Sequence, residues 1–557
     1  MKKLVVLLIA ILFLTTISGL DMFTTYSLAD QTIKIGLYFK SNSKSQIEIT
    51  NDKGVSFSAY DSAANNYADV YSSGTGEIVT IRKDSYYNIS EQKFTSAAEN
   101  GNPSVGPYHI EIKNTLNTYK EILPIIKSYI EKGVVAYPVF TDTGWKIWTG
   151  FYINKKETEK AIPIIKTKLG KNTYTVVGKS DKRIYGVNSS GIVKFMFASE
   201  KKLLRGKALS IENPTIKIGT GKFNTYRGEV EFQRRTGSDM TIINVLPIEE
   251  YLYGVVPNEM GASSNIEALK AQAIASRSYS YKIINKHSAD GFNLCATTDC
   301  HVYNGYSSEK LNTNMAINDT KDMVVTYNGE VAETLYFSSS GGKTEAAVNV
   351  WKSDIPYLQC VDDKYETGKF NHYNWKIDLT AEEISQKLKS KNIGAVTSIE
   401  ITKQSEAGRA IEVIVKGTSN PSGIIISKID CKNFLGLYSQ LYTITTNSHI
   451  IVTTNSKTVN TQLSKLKIFN VNGKTTNIDP AQQVKIVNAN GISKTVSASP
   501  SVYSFVGKGW GHSVGMSQDG AIGYANAGYT YAQILTHYYT GTKIDMITTA
   551  IHPIPNK

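Results

Sequence analysis

The chain has 557 residues, of which 41% are hydrophobic and 20% charged, values that exclude a wholly disordered polymer and exceed what one hydrophobic core can hold. Its formal charge of +13, from 61 Lys+Arg against 48 Asp+Glu, draws it to polyanions. The basic residues are scattered, with no Cys/His finger spacing and no aromatic-basic RNA signature, so nucleic acid is excluded and an anionic wall or membrane surface remains.

The chain opens on Met1-Lys2-Lys3, continues with an apolar run from Leu4 to Leu14, and reaches Ser27-Leu28-Ala29. A positive start, a short apolar core and a small-x-small site form an export signal over residues 1–29, with cleavage expected after Ala29. The mature chain then lies outside the cytoplasm, at the cell wall or beyond. An uncleaved signal would instead anchor it in the membrane.

Residues 30–115 alternate polar and apolar positions, as in Thr32-Ile33-Lys34-Ile35, and read as a small β domain. Asn51-Asp52-Lys53-Gly54 carries a hairpin signal. Residues 116–180 change period. Ile122, Ile125, Ile126, Tyr129 and Ile130 share one side of a predicted helix over Tyr119–Lys132, which Gly133 stops. A strand follows over Val134–Phe140, then Trp145-Lys146-Ile147-Trp148-Thr149-Gly150-Phe151. A second helix starts at Asn154, with Glu157 in the capping-box position. This stretch resembles the SPOR (sporulation-related repeat) domain, and the resemblance implies binding to glycan strands stripped of their peptides.

Residues 185–548 read as one larger β-rich unit, with a Thr/Asn/Val-rich β insertion over 440–500. Strands are expected at Thr215–Ile218, Tyr226–Phe232 and Met240–Val245. A helix over Ile266–Asn285 is predicted, with Ser264 as its N-cap. Ile266, Leu269, Ala273, Ile283 and Ile284 form its buried side. Gln272 and Arg277 are expected to face a groove.

The chemistry concentrates around Pro257-Asn258-Glu259-Met260. Glu259 sits between a Pro-containing turn and a helix, among Val255, Val256 and Met260. Apolar surroundings raise a carboxyl's pKa and let it donate a proton near neutral pH, while a nearby helix N-terminus favours the anion. Glu249 and Glu250 read as solvated or capping charges. Ser338-Ser339-Ser340-Gly341-Gly342 offers hydroxyls and backbone N–H groups to sugar oxygens, and Gly509-Trp510-Gly511-His512 offers a ring and an imidazole. The same glycines also suit simple turn closure. Cys295-x4-Cys300, with His287 before and His301 after, suits a tetrahedral zinc site and equally a short-loop Cys295–Cys300 disulfide, with free thiols as the remaining alternative. No Gly-x-Ser-x-Gly elbow is present.

Six ordered blocks carry a further resemblance. They begin at Leu246–Met260, Cys295–Gly305, Phe337–Thr344, Ile355–Leu358 and Gly507–Ala521, and a last stretch covers Ile534–Thr542. Residues 185–548 resemble the SpoIID/LytB family (stage II sporulation protein D and the amidase enhancer). The resemblance implies a lytic transglycosylase that cleaves denuded peptidoglycan strands with Glu259 as acid/base and needs no cofactor for catalysis. It also implies a structural zinc in some members and, in the enhancer branch, a cell-wall amidase as partner. Substrate contacts are expected from Gln272, Arg277, Ser339, Ser340, Gly341, Gly342, Trp510, His512 and Gln518. The chain departs from the family pattern GHGVGMSQWGA at Ser513 and Asp519, which stand where Gly and Trp are usual. The expected fold is α+β and β-rich, a SpoIID-type catalytic domain preceded by a small β domain and a SPOR-like α+β domain.

Overall fold

Alternation places Ile33 and Ile35 of strand Thr32–Tyr38 on one buried face. In a computed structural model, residues 32–547 are described apart from 99–103, 117, 213, 236–238 and short stretches between 454 and 492. The expected export signal lies outside the described residues. The protein is α+β and β-rich. Strand Thr32–Tyr38 pairs antiparallel with Met240–Pro247 and parallel with Leu294–Cys295 at the edge of a seven-stranded sheet. A ten-stranded sheet packs on it, and Ile35, Phe57 and Phe232 from the first meet Ile47, Ile81 and Ile218 from the second in one core.

The long strands of residues 30–115 are therefore divided between the two sheets, beside strands from residues 203–247. Asn51–Gly54 turns the chain, with the Gly54 N–H donating to Asn51 at 2.9 Å. It does not close a hairpin: Gln46–Thr50 lies in the larger sheet and Val55–Asp61 in the smaller, so the turn crosses between layers.

Strands Tyr108–Leu116, Ala136–Thr141, Gly144–Tyr152 and Tyr174–Val177 alternate with helices Tyr119–Glu131 and Lys155–Leu169 in a β-α-β-β-α-β order. Their spatial order is fourth, first, third, second, a split βαβ arrangement. Its first strand lies before residue 116, in the segment read from sequence as part of the small β domain. Ile122 and Ile126 are buried, but Ile130 is 51% exposed, because the helix covers less of the sheet than its apolar stripe suggests. The sheet face bearing Trp148 is also closed. The Arg183 guanidinium lies 5.3 Å over the Trp148 ring, and its Nε donates to the buried carboxylate of Asp84 at 2.7 Å. The unit joins the rest of the sheet where Val139 and Phe140 pair with Met196 and Phe197.

The central helix runs over Ile266–Lys282 and is capped by Asn265, whose side chain accepts from the Glu267 N–H. The predicted Ser264 cap is one residue early. The helix is buried almost all round, from Ala268 to Tyr281, while Ile266 is partly exposed. Near the C-terminus, Val502–Lys508 pairs with both Asn374–Thr380 and Tyr442–Thr446. Between Tyr442–Thr446 and Val502–Lys508, residues 447–501 carry short hairpins around Leu463, Ile478, Val496 and Ala498.

Candidate functional site

Glu259 ends a one-turn helix, Val256–Glu259, entered through Pro257 and left through extended Met260. Met260 and Val256 anchor this turn in the core, which directs Glu259 into a cavity of about 400 Å3. Tyr279, His301, Val302, Leu335, Tyr336 and Trp351 also line it. Glu259 is the sole carboxylate among the described lining residues. Burial lifts its pKa to about 7, against the opposing pull of hydrogen bonds from Gln518 and the Val302 backbone. Desolvation thus outweighs the charged-form stabilisation that a helix terminus could have offered.

Gln518 Nε2 lies 3.5 Å from Glu259 Oε2 and 3.4 Å from Gln272 Oε1. Gln272 in turn donates to Ser276 Oγ at 3.0 Å. Gln272 and Gln518 therefore belong to the polar wall behind Glu259. Arg277 does not face the groove. It is fully buried and grips Glu249 with two hydrogen bonds of 2.7 and 2.6 Å. Glu249 is accordingly a buried ion-pair partner, in contrast to the solvated reading.

The two glycine-rich blocks meet: Ser339 and Trp510 exchange backbone hydrogen bonds of 3.1 and 2.9 Å. His512 lines the Glu259 cavity, packed against Phe337 and Trp351. Burial lowers its pKa to about 4, and its Nδ1 accepts from the Val514 N–H at 3.1 Å, so the ring is neutral. Trp510 stands outside the cavity, 39% exposed, edge-on to His372. Ser339 and Ser340 are fully buried and face inward to carboxylates: Ser339 donates to Glu366 at 2.6 Å and Ser340 to Asp363 at 2.7 Å. Gly341 borders a separate cavity beside Trp375 and Lys508, and neither Gly341 nor Gly342 lines the Glu259 cavity. Asp519, where an aromatic ring is usual, is buried and accepts from the Thr367 hydroxyl and, at 2.8 Å, from the Gly368 N–H.

His287, Cys295, Asp299 and Cys300 bring their ligand atoms within 4.8 Å of one another. Cys295 and Cys300 are free thiols, in mutual hydrogen-bond contact that lowers the first and raises the second. His287 Nε2 points to Asp299 at 3.2 Å while Nδ1 meets Asp290 Oδ2 at 3.1 Å, an outer carboxylate that orients the ring. Two sulfurs, one imidazole and one carboxylate suit four-coordinate zinc. His301 is not in this group. Its ring turns into the Glu259 cavity, and its place as a fourth donor is taken by Asp299. Tyr279, Tyr336 and Trp351 were missed at sequence level. Tyr336 immediately precedes the Phe337–Thr344 block, a signal that could have found it.

Comparison with known proteins fits this geometry. The family model of the stage II sporulation protein SpoIID matches residues 236–327, which include Glu259 and all four candidate zinc ligands. The amidase enhancer of Bacillus subtilis is 33% identical over 310 residues, covering 53% of this chain and 40% of that relative's length. Stage II sporulation protein D of Bacillus subtilis is 27% identical over 361 residues, covering 62% of this chain and 85% of the relative. An uncharacterised protein of Brachyspira hyodysenteriae is 30% identical over 308 residues and matched over 68% of its length. On these matches the chain belongs to the SpoIID/LytB family.

Proposed function

We propose that this protein is an exported peptidoglycan lytic transglycosylase that cuts glycan strands, with Glu259 as its single acid/base. The observation that carries this reading is the isolation of Glu259: one carboxyl, held near pKa 7, in a cavity walled by aromatic side chains. A protonated Glu259 gives its proton to the glycosidic oxygen as the bond to the anomeric carbon breaks. The 6-hydroxyl oxygen of the same sugar then bonds to that carbon, and its proton returns to Glu259. The product is a 1,6-anhydro-muramoyl end. Hydrolysis usually calls for a second carboxylate to activate water or form a covalent intermediate. Mass spectrometry of digested glycan strands tests this, with anhydro-muramoyl products expected from the wild type and not from Glu259→Gln.

A second reading is that the chain stimulates a separate cell-wall amidase without cutting glycan. Its support is the 33% identity to a protein named amidase enhancer and the replacement of the usual aromatic residue by Asp519. A folded wild type that binds strands and leaves them uncut favours this second reading.

His287, Cys295, Asp299 and Cys300 are proposed to hold a structural zinc. Bound there, the ion would contribute folding energy and pin the loop that delivers Val302 to Glu259. Elemental analysis of the purified protein should find one zinc per chain, lost in Cys300→Ser. A metal-free wild type of unchanged melting temperature would remove this site from the account.

A further inference from the structure

His301 is only 3% exposed, yet its ring borders the Glu259 cavity. Its orientation is fixed from three sides. The Tyr336 ring stacks on it at 9° with centroids 6.1 Å apart, and Tyr279 meets it edge-on at 5.2 Å. Its Nδ1 lies 3.1 Å from the Tyr251 hydroxyl. Tyr251 is fully buried, so its O–H must find an acceptor, and Nδ1 is the one it reaches. That assignment leaves the proton of the neutral imidazole on Nε2. Nε2 is buried and has no hydrogen-bond partner among the described residues.

A buried donor without an acceptor is costly to maintain, and such groups are explained by a ligand, a solvent molecule or strain. The surroundings choose among ligands. Leu335, Val302, Tyr336 and Trp351 put apolar surface into the cavity that the His301 ring lines, beside the polar groups of Glu259, Thr298 and Thr334. An acetamido group has matching chemistry: a carbonyl oxygen to accept and a methyl group to bury.

We infer that His301 is a substrate-binding residue that reads the N-acetyl group of a sugar, its Nε2–H donating to the acetamido carbonyl while the methyl rests against Leu335 and Trp351. The inference rests on the glycan-cutting reading of the Glu259 cavity. It assigns to His301 a role separate from the zinc cluster, although Cys300 is its neighbour in the chain.

The test uses the full chain in a Glu259→Gln background, where bound strands stay intact. Calorimetry compares N-acetylated glycan oligomers with the same oligomers after removal of their acetyl groups. His301→Ala should weaken binding of the acetylated oligomer about tenfold and cause no further loss on the deacetylated one. His301→Gln, whose amide retains an N–H, should stay within about threefold of the parent. If His301→Ala does not fold, the parent's own roughly tenfold preference for the acetylated oligomer, reduced in no more than part by His301→Gln, carries the same information. Equal binding by His301→Ala and the parent, or an equal loss on both oligomers, overturns the role of His301 alone. A parent that binds neither oligomer, with a wild type that leaves strands uncut, overturns the glycan reading with it.

Discussion

Two glutamates ten residues apart, on consecutive short helices, show how one side-chain type serves two ends. Glu249 is clamped by the fork of Arg277 through hydrogen bonds of 2.7 and 2.6 Å, and both groups are buried. Arg277 also donates to the Met323 and Ile317 carbonyls, so this region ties the central helix to its neighbours. Glu259 has no cation beside it. Its partners are the long 3.5 Å contact from Gln518 and the Val302 backbone, and its carboxyl rises to about 7. The pairing partner, more than burial, separates a carboxylate that stabilises from one that can move a proton.

The largest effect expected from breaking this contrast is at Glu259. Glu259→Gln should lower glycan cleavage about a thousandfold, since the amide has no proton to give and recover. On the glycan-cutting reading the acid form of Glu259 starts the reaction, so cleavage should fall as pH climbs past about 7. A rate that is flat from pH 6 to 9 would mean that another group supplies the proton.

Arg277→Met tests the opposite region. It leaves Glu249 buried without its partner, and a cost of about 4 kcal/mol is expected in denaturant unfolding. Replacing both partners, as Glu249→Met/Arg277→Met, should recover much of that loss, because no charge is then stranded. If Arg277→Met were as stable as the wild type, the ion pair would not hold the helix and the contrast with Glu259 would lose its meaning.

A third prediction sharpens the comparison through stability. Glu259 binds a proton in the folded state between the ordinary 4.5 and about 7 that it releases when unfolded. Stability therefore falls as pH rises through this window and levels off above it. Glu259→Gln removes that dependence. It should match the wild type near pH 4 and exceed it by about 2 kcal/mol at pH 8. An identical pH dependence in the two proteins would show that the carboxyl is not desolvated in solution.

Local chemistry was legible in the sequence where neighbours in the chain create it. Pro257, Val256 and Met260 build the turn that presents Glu259, and Cys295 and Cys300 lie within one loop, although Asp299, which stands with them, was not among the expected ligands. What crosses the chain was not legible. Strand Thr32–Tyr38 pairs with Met240–Pro247 about two hundred residues away, so no local period could reveal that residues 30–115 share sheets with later strands. Arg277 misled for a related reason: the central helix is buried almost all round, so a polar residue on it signals an internal partner and not an open groove. His301 misled because spacing cannot say which way a ring turns after Cys300. Ser339 and Ser340 share that limit, since the carboxylates they satisfy, Glu366 and Asp363, arrive from a different loop.

The smallest expected effect lies beside the cavity, at Ser513. Its φ is +69°, in the left-handed region that favours glycine, and its buried hydroxyl has no partner among the described residues. Both features burden the folded state, by roughly 1 kcal/mol for the backbone and at least a similar amount for the unpaired hydroxyl. Glycine would relieve them but would widen the unfolded ensemble, offsetting roughly 0.5–1 kcal/mol. Ser513→Gly should therefore stabilise the protein by about 1 kcal/mol, read as a higher urea midpoint at an unchanged slope. Ser513 joins His512, which lines the cavity, to Val514, whose N–H holds the His512 ring. If the variant gains stability and cuts glycan as before, the strained serine is an incidental replacement. If it gains stability and loses cleavage, the strain positions His512 against Phe337 and Trp351, and the working side of the molecule extends one turn beyond Glu259.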